Sequence, residues 1–142
     1  MAPLIQREFV VDVPNEQAWD HLLQVEAWPQ WAGHIRRMRV DGGEQLTPGS
    51  TTRMTLKPGV TLKLEVNRYQ PERQFRWFSY LGWLTLDYDH RFEPVDENHT
   101  RMIWTVELDG FGARFIGPII ARLYGRSLDQ AIPKFVGELK AA

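Results

Sequence analysis

Tyr88 and His90 are the residues whose types and spacing could do chemistry. They stand two apart in a segment where Leu84, Leu86, Tyr88, His90 and Phe92 alternate with Thr85, Asp87, Asp89, Arg91 and Glu93. In a strand, residues two apart project from one face, roughly 7 Å from each other. Both are therefore expected on one apolar surface, where a buried polar group needs a partner. The imidazole could then serve as general base or hydrogen-bond donor, and the phenol could donate to a carbonyl oxygen. The alternative is structural, a histidine bonded to a backbone carbonyl or to a tyrosine hydroxyl. Asp87 and Asp89 fall on the opposite parity and are expected in solvent. With no anion beside it, an apolar surrounding should keep His90 neutral at pH 7. Arg7 is a third candidate, set among Ile5, Phe9, Val11 and Val13, against its reading as a strand-end cation reaching water.

The surface that would hold these groups follows from parity. On the sheet it comprises Met54, Leu56, Leu62, Leu64, Trp77, Leu86, Tyr88, His90, Met102 and Trp104, and a helix adds Phe115, Ile119 and Leu123. Each of these residue types would also serve as ordinary core. Polar groups on that face are few: Thr52, Ser79, Tyr88 and His90. Such a wall suits an apolar ligand better than proton transfer, which needs convergent polar groups. Trp77 and Trp104 are expected to line the space.

The elements that must position this wall are legible in order. Residues 4–13 read as a strand, residues 15–25 as a helix buried through Ala18, Trp19, Leu22 and Leu23, and residues 27–32 as a very short helix held by Trp28 and Trp31. His21 falls on the polar side of its helix and is expected in solvent. From Ile35 the period becomes two. Successive strands are separated by a glycine-rich turn at 41–50 containing Gly42-Gly43, by Lys57-Pro58-Gly59, by residues 70–73, by Gly82 and by Asp96-Glu97-Asn98. Residues 111–139 then form one long amphipathic helix. Its stripe is Ile116, Ile120, Leu123, Leu128, Ile132, Phe135 and Leu139, widened by Phe115, Ile119 and Tyr124. Gly117-Pro118 reads as its start, and Pro133 predicts a kink near Asp129. One-sided alternation through short hairpins means an antiparallel sheet with one wet face, its dry face receiving that helix. The class is α+β, with about seven strands in the order β-α-α-β6-α, in a single domain over 1–142.

Composition closes several function classes. A net charge of −1 leaves no cationic excess to drive nucleic-acid binding. Without cysteine there are no disulfides and no thiolate chemistry, which fits a reducing compartment. The opening residues lack a signal-peptide pattern and no apolar run approaches the ~18 residues that span a bilayer, so a cytoplasmic protein without stable membrane insertion is expected. His21, His34, His90 and His99 lack metal-ligand spacing, and neither a phosphate loop nor a Gly-x-Ser-x-Gly elbow is present. No metal and no cofactor are expected. Either a monomer or a homodimer is compatible with the sequence.

Particular residues in that order carry a family resemblance. These are Val13-Pro14 followed by Ala18-Trp19, the Trp28-Pro29-x-Trp31 turn leading into Met38 and Val40, and Phe92-Glu93-Pro94 followed across a hairpin by Thr100-Arg101. Over essentially its whole length the chain resembles the START-type (SRPBCC) superfamily, within it the bacterial polyketide cyclase/dehydrase-like proteins. The resemblance implies a helix-grip fold, a curved antiparallel sheet wrapped around the C-terminal helix with a cavity between them. It also implies a lipid-, polyketide- or aromatic-like apolar ligand, and in some members cyclisation or dehydration. It carries over no catalytic set. The expectation is a binding protein for an apolar small molecule; the alternative is a cyclase or dehydratase using His90 and Tyr88. A third reading, an amphipathic helix that meets a membrane or a partner, competes with the sheet's own need for the helix stripe.

Overall fold

The computed structural model describes residues 4–41, 46–57 and 59–141; the expected Gly42-Gly43 turn and Pro58 lie outside these residues. The chain runs β1 (Ile5–Val11), α1 (Asn15–Leu22), a 3₁₀ helix (Val25–Gln30), β2 (Ile35–Val40), β3 (Thr51–Leu56), β4 (Val60–Gln70), β5 (Gln74–Leu81), β6 (Leu84–Asp96), β7 (His99–Asp109) and α2 (Ala113–Ala141). The strands form one antiparallel sheet in the order β1-β7-β6-β5-β4-β3-β2. The five hairpin steps from β2 to β7 are local, because a short turn suffices between antiparallel neighbours. Among the described residues only β1 pairs far along the chain, from Ile5 opposite Val106 to Val11 opposite Thr100.

Register sets side chains of one parity in rows across the dry face. Arg7, Trp104, His90 and Phe75 form one such row, and Ile5, Val106, Tyr88 and Trp77 the next. The α1 helix lays Ala18, Trp19 and Leu22 on this face. The 3₁₀ helix follows at once, and its Trp28 indole donates to the Leu22 carbonyl at 2.8 Å. That bond satisfies a polar atom in a buried ring and ties the two helical pieces together.

The long helix departs from expectation in its start and in how much of its stripe is buried. It begins at Ala113, so Pro118 lies in its second turn instead of opening it. As the stripe predicts, it is one element, continuing through Pro133 to Ala141. Its stripe is buried over the C-terminal half alone: Leu128, Ala131, Phe135 and Leu139 are in the core, whereas Ile116 and Leu123, with Phe115 and Ile119 beside them, are exposed. The cause is what the sheet offers beneath it. Phe135 meets Trp31 at 5.0 Å and Trp104 at 5.4 Å between ring centroids, while the N-terminal half spans a hollow.

Three polar residues also differ from their sequence reading. Asp89 is buried, although it lies on the outer face, because Gln74 Nε2 (2.6 Å) and Arg91 Nε (3.0 Å) donate to it and cover it. Asp87 is half-buried and accepts from Arg76 at 3.2 Å. His21 is half-buried as well, its Nε2 3.0 Å from Glu138 Oε1 on α2 and its ring tilted against Phe135.

Candidate functional site

The hollow beneath the first half of α2 is a cavity of about 360 Å³. Leu56, Lys57, Val60 and Leu62 of the β3–β4 hairpin wall one side, and Leu81, Leu86 and Tyr88 of β5 and β6 the floor. Val106 of β7 adds to the floor, Ile120, Leu123, Tyr124 and Ser127 of α2 form the roof, and His34 closes one flank. Apolar side chains dominate it, and they come from alternate positions of neighbouring strands, as the pleat requires.

Sequence parity and the cavity overlap in part. Leu56, Leu62, Leu86, Tyr88 and Leu123 line it. Met54, Leu64, Trp77, His90, Met102 and Trp104 are buried without lining it. Phe115 and Ile119 face outward. The sheet rows are continuous, but Trp28 and Trp31 plug the half that contains His90: Trp28 stands 5.2 Å from Trp77, and Trp31 stands 5.8 Å from Trp104. Parity assigns a residue to a face and is silent on where along the face a helical plug will sit.

His90 and Tyr88 therefore share a face and differ in surroundings. The His90 ring stacks on Phe75 at 4.3 Å with an 11° interplanar angle, and Trp28, Trp77 and Trp104 complete an aromatic cage. Its Nδ1 has no hydrogen-bond partner. Burial lowers its pKa to about 4, outweighing the pull of the Asp89 charge through the sheet, so the ring is neutral at pH 7. Tyr88 instead reaches the cavity, and its pKa is raised by burial to about 12.

Two further polar groups meet Tyr88 there. The Tyr124 ring lies 6.0 Å from that of Tyr88, and His34 packs on Tyr124 at 5.5 Å with the rings nearly perpendicular. Both His34 ring nitrogens lack partners, and burial lowers its pKa to about 4. Tyr124 is raised by burial and, further, by the neighbouring Tyr88. At pH 7 the three form an uncharged set: two phenols that can donate and an imidazole that can donate or accept. Such a set can hold a carbonyl or hydroxyl at one end of an otherwise apolar molecule. His34 escaped the sequence reading because it precedes β2 in a segment without periodicity. Tyr124 carried a signal, lying four residues after Ile120 on the helix stripe.

Arg7 projects from β1 toward α2 and not into water alone. Its Nε and Nη2 donate to Asp129 Oδ1 and Oδ2 at 2.7 and 3.3 Å. Gly125 makes room for it, since a Cβ there would stand 3.1 Å from Arg7 Nη2. Among the described residues, no three His, Asp or Glu side chains are grouped to hold a metal ion.

A curved seven-stranded antiparallel sheet closed by a long C-terminal helix, with an apolar hollow between them, defines a helix-grip protein. The chain belongs to the family described as polyketide cyclase/dehydrase and lipid transport, whose model matches residues 3–140. Its fold is similar to that of the Zhui aromatase/cyclase from Streptomyces sp. R1128, with a TM-score of 0.79 and 12% identity over 96% of this chain and 92% of that one. It is similar too to a START superfamily protein from Mycobacterium smegmatis, with a TM-score of 0.71 and 16% identity over 96% and 97%. At such identities the likeness is one of fold. No curated protein sequence matches the chain.

Proposed function

We propose that the protein binds an apolar small molecule, of lipid, polyketide or aromatic character, in the hollow between β3–β7 and the first half of α2. The observation that carries this reading is the cavity of about 360 Å³ with a nearly unbroken apolar wall. Val60, Leu81 and Leu123 of its lining are exposed, so the hollow opens to solvent and, without a ligand, water would lie against an apolar wall. The wall favours an apolar filler over a water cluster. Tyr88, Tyr124 and His34 would receive the ligand's polar end. Met54, Leu64, Trp77, Met102 and Trp104 would support the wall from behind, and Phe115 and Ile119 would stand outside it.

The alternative, a cyclase or dehydratase, is supported by the family and by the unpartnered imidazole of His34 beside two phenols. In that reading Tyr88 would donate to a substrate carbonyl, as the sequence suggested. Proton abstraction would fall to His34, because the cage around His90 leaves it off the cavity wall. Native mass spectrometry of freshly purified protein tests the binding reading: a co-purified or added apolar molecule retained one per chain supports it. Chemical conversion of that molecule, lost in His34→Gln while affinity is kept, would move the reading to the enzyme.

A further inference from the structure

The first half of α2 carries large apolar side chains that are exposed to solvent. Phe115 is 77% exposed, Ile119 62% and Leu123 63%. Spaced four apart, they occupy one side of the helix. Just before it Phe111 is 86% exposed, and Trp83, in the β5–β6 turn, 69%. The two segments are tied together, since the Trp83 indole donates to the Phe111 carbonyl. Gly110 permits this approach: its φ is +119°, and a Cβ there would stand 2.6 Å from the Trp83 carbonyl oxygen. Turn and helix start thus build one protruding tip. Leu81 and Leu123 are exposed on it and also line the cavity. Single exposed apolar residues are ordinary, but several gathered on one edge mark a contact surface.

Charge identifies the partner. Arg114, Arg122 and Arg126 are exposed on this half of the helix, and Lys57 on the opposite rim of the cavity. Residues 110–128 contain no carboxylate, and Asp109, just before them, turns its side chain back onto the Gly110 N–H. Among the described residues none of the four cations takes part in an ion pair. At 100° per residue, Arg122 and Arg126 fall within about 20° of Phe115 around the helix. The Arg114 guanidinium lies 5.8 Å from the Phe115 ring centroid. Aromatic side chains bordered by unpaired arginines suit the boundary of an anionic bilayer, where rings enter the headgroup layer and guanidinium groups meet phosphates. A second copy of the chain fits less well, because a two-fold contact would bring these arginines against their own equivalents. No helix among the described residues is long and apolar enough to cross a membrane, so the contact is peripheral.

We propose that this tip docks on an anionic lipid bilayer, with Trp83, Phe111 and Phe115 in the headgroup boundary and Arg114, Arg122 and Arg126 on lipid phosphates. The proposal stands on the rim alone and does not depend on what the cavity holds. Its test is flotation of the full chain with vesicles of phosphatidylglycerol and phosphatidylcholine, against vesicles of phosphatidylcholine alone. The expected result is binding to the anionic vesicles, at least tenfold weaker binding to the neutral ones, and a marked loss in about 0.5 M salt. The double variant Arg122→Glu/Arg126→Glu should weaken anionic binding by roughly 30-fold or more. Phe115→Ser and Trp83→Ser should each weaken it too, with melting temperatures unchanged, whereas Val95→Ser, exposed near the far end of β6, should not. Absence of vesicle binding, equal binding to both compositions, or wild-type binding by the tip variants would overturn the proposal. A dimer seen by light scattering, broken by Phe115→Ser and unaccompanied by vesicle binding, would assign the face to a second copy and overturn it as well.

Discussion

Arg7 of β1 and Asp129 of α2, 122 positions apart in sequence, are joined by two parallel hydrogen bonds of 2.7 and 3.3 Å. The pair stands at the change of character along the helix. Before it α2 roofs the cavity with Ile120, Leu123 and Tyr124; after it the helix is seated by Phe135 and Leu139. It raises the Arg7 pKa and lowers that of Asp129, each ion stabilising the other. With both side chains partly exposed, solvent screens most of that attraction. A double-mutant cycle with Arg7→Met and Asp129→Asn should give a coupling of about 0.5–1 kcal/mol, shrinking in 1 M salt. A coupling of zero at low salt would show that the helix is positioned by its apolar contacts alone.

The two halves of α2 should respond oppositely to truncation of a side chain. Phe135 is fully buried, and Phe135→Ala should cost about 3–5 kcal/mol. Phe115→Ala, at an exposed position of the same helix, should change stability by less than about 0.5 kcal/mol. Ending the chain after Arg126 removes Leu128, Ile132, Phe135 and Leu139 together, roughly 6–12 kcal/mol at ~1.5–3 each, enough to unfold most domains. A cooperative, wild-type-like melt of that truncated chain would contradict the packing described.

Acid should weaken the fold through two imidazoles, the buried His90 and the half-buried His34. His34 and His90 have folded pKa values near 4, below the ordinary 6.5, so between those values the unfolded chain binds more protons. Their contribution is therefore intact above about pH 6.5, falls as pH drops toward 4, and falls no further below that. For His90 the slope is about 1.4 kcal/mol per pH unit inside the window. His99, exposed and raised by Asp96, acts in the opposite sense: its pairing is fully present at low pH and fades as pH rises through its folded pKa. Denaturant melts from pH 7 to pH 4 should show His90→Gln with a shallower decline than wild type. Parallel declines would mean that burial does not lower the pKa of His90 in the folded protein.

The sheet was legible in the sequence because period-two alternation from Ile35 to Leu108 is a local signal. So was the helix from its three-and-four stripe, and the order of elements carried the family resemblance. The helix start was not, because Pro118 is compatible with the second turn as well as the first. The cavity's extent was only half legible. Leu62, Leu86 and Tyr88 line it, but Trp77, His90 and Trp104 of the same face are sealed by Trp28 and Trp31. That sealing is a tertiary contact between a short 3₁₀ helix and the sheet, with no trace in strand parity. His34 was invisible because it precedes β2 in a segment without periodicity, and Asp89 misled because Gln74 and Arg91 cover it from adjacent positions.

The polar cluster should grade ligands by their hydrogen-bonding end. Tyr124→Phe removes one hydroxyl from the wall while keeping its ring against His34. For a ligand carrying a carbonyl or hydroxyl, affinity should fall by about 0.5–1.5 kcal/mol; for its purely hydrocarbon analogue it should hold or rise. Calorimetric titration of both ligands into both proteins reads the difference. Equal losses for the two ligands would remove the phenols from recognition.

The central claim is that the hollow under the first half of α2 is a binding site, and occupying it from within tests this most directly. Leu86 lines its floor, and Leu86→Trp adds volume there without adding charge. Wild type and variant should be titrated with the uncharged fluorescent probe N-phenyl-1-naphthylamine, with thermal melts confirming that both are folded. Saturable binding of one probe per wild-type chain, lost or weakened at least tenfold in Leu86→Trp, is the predicted result. Failure of folded wild type to bind any of a panel of apolar probes, or undiminished binding in the filled variant, would contradict it.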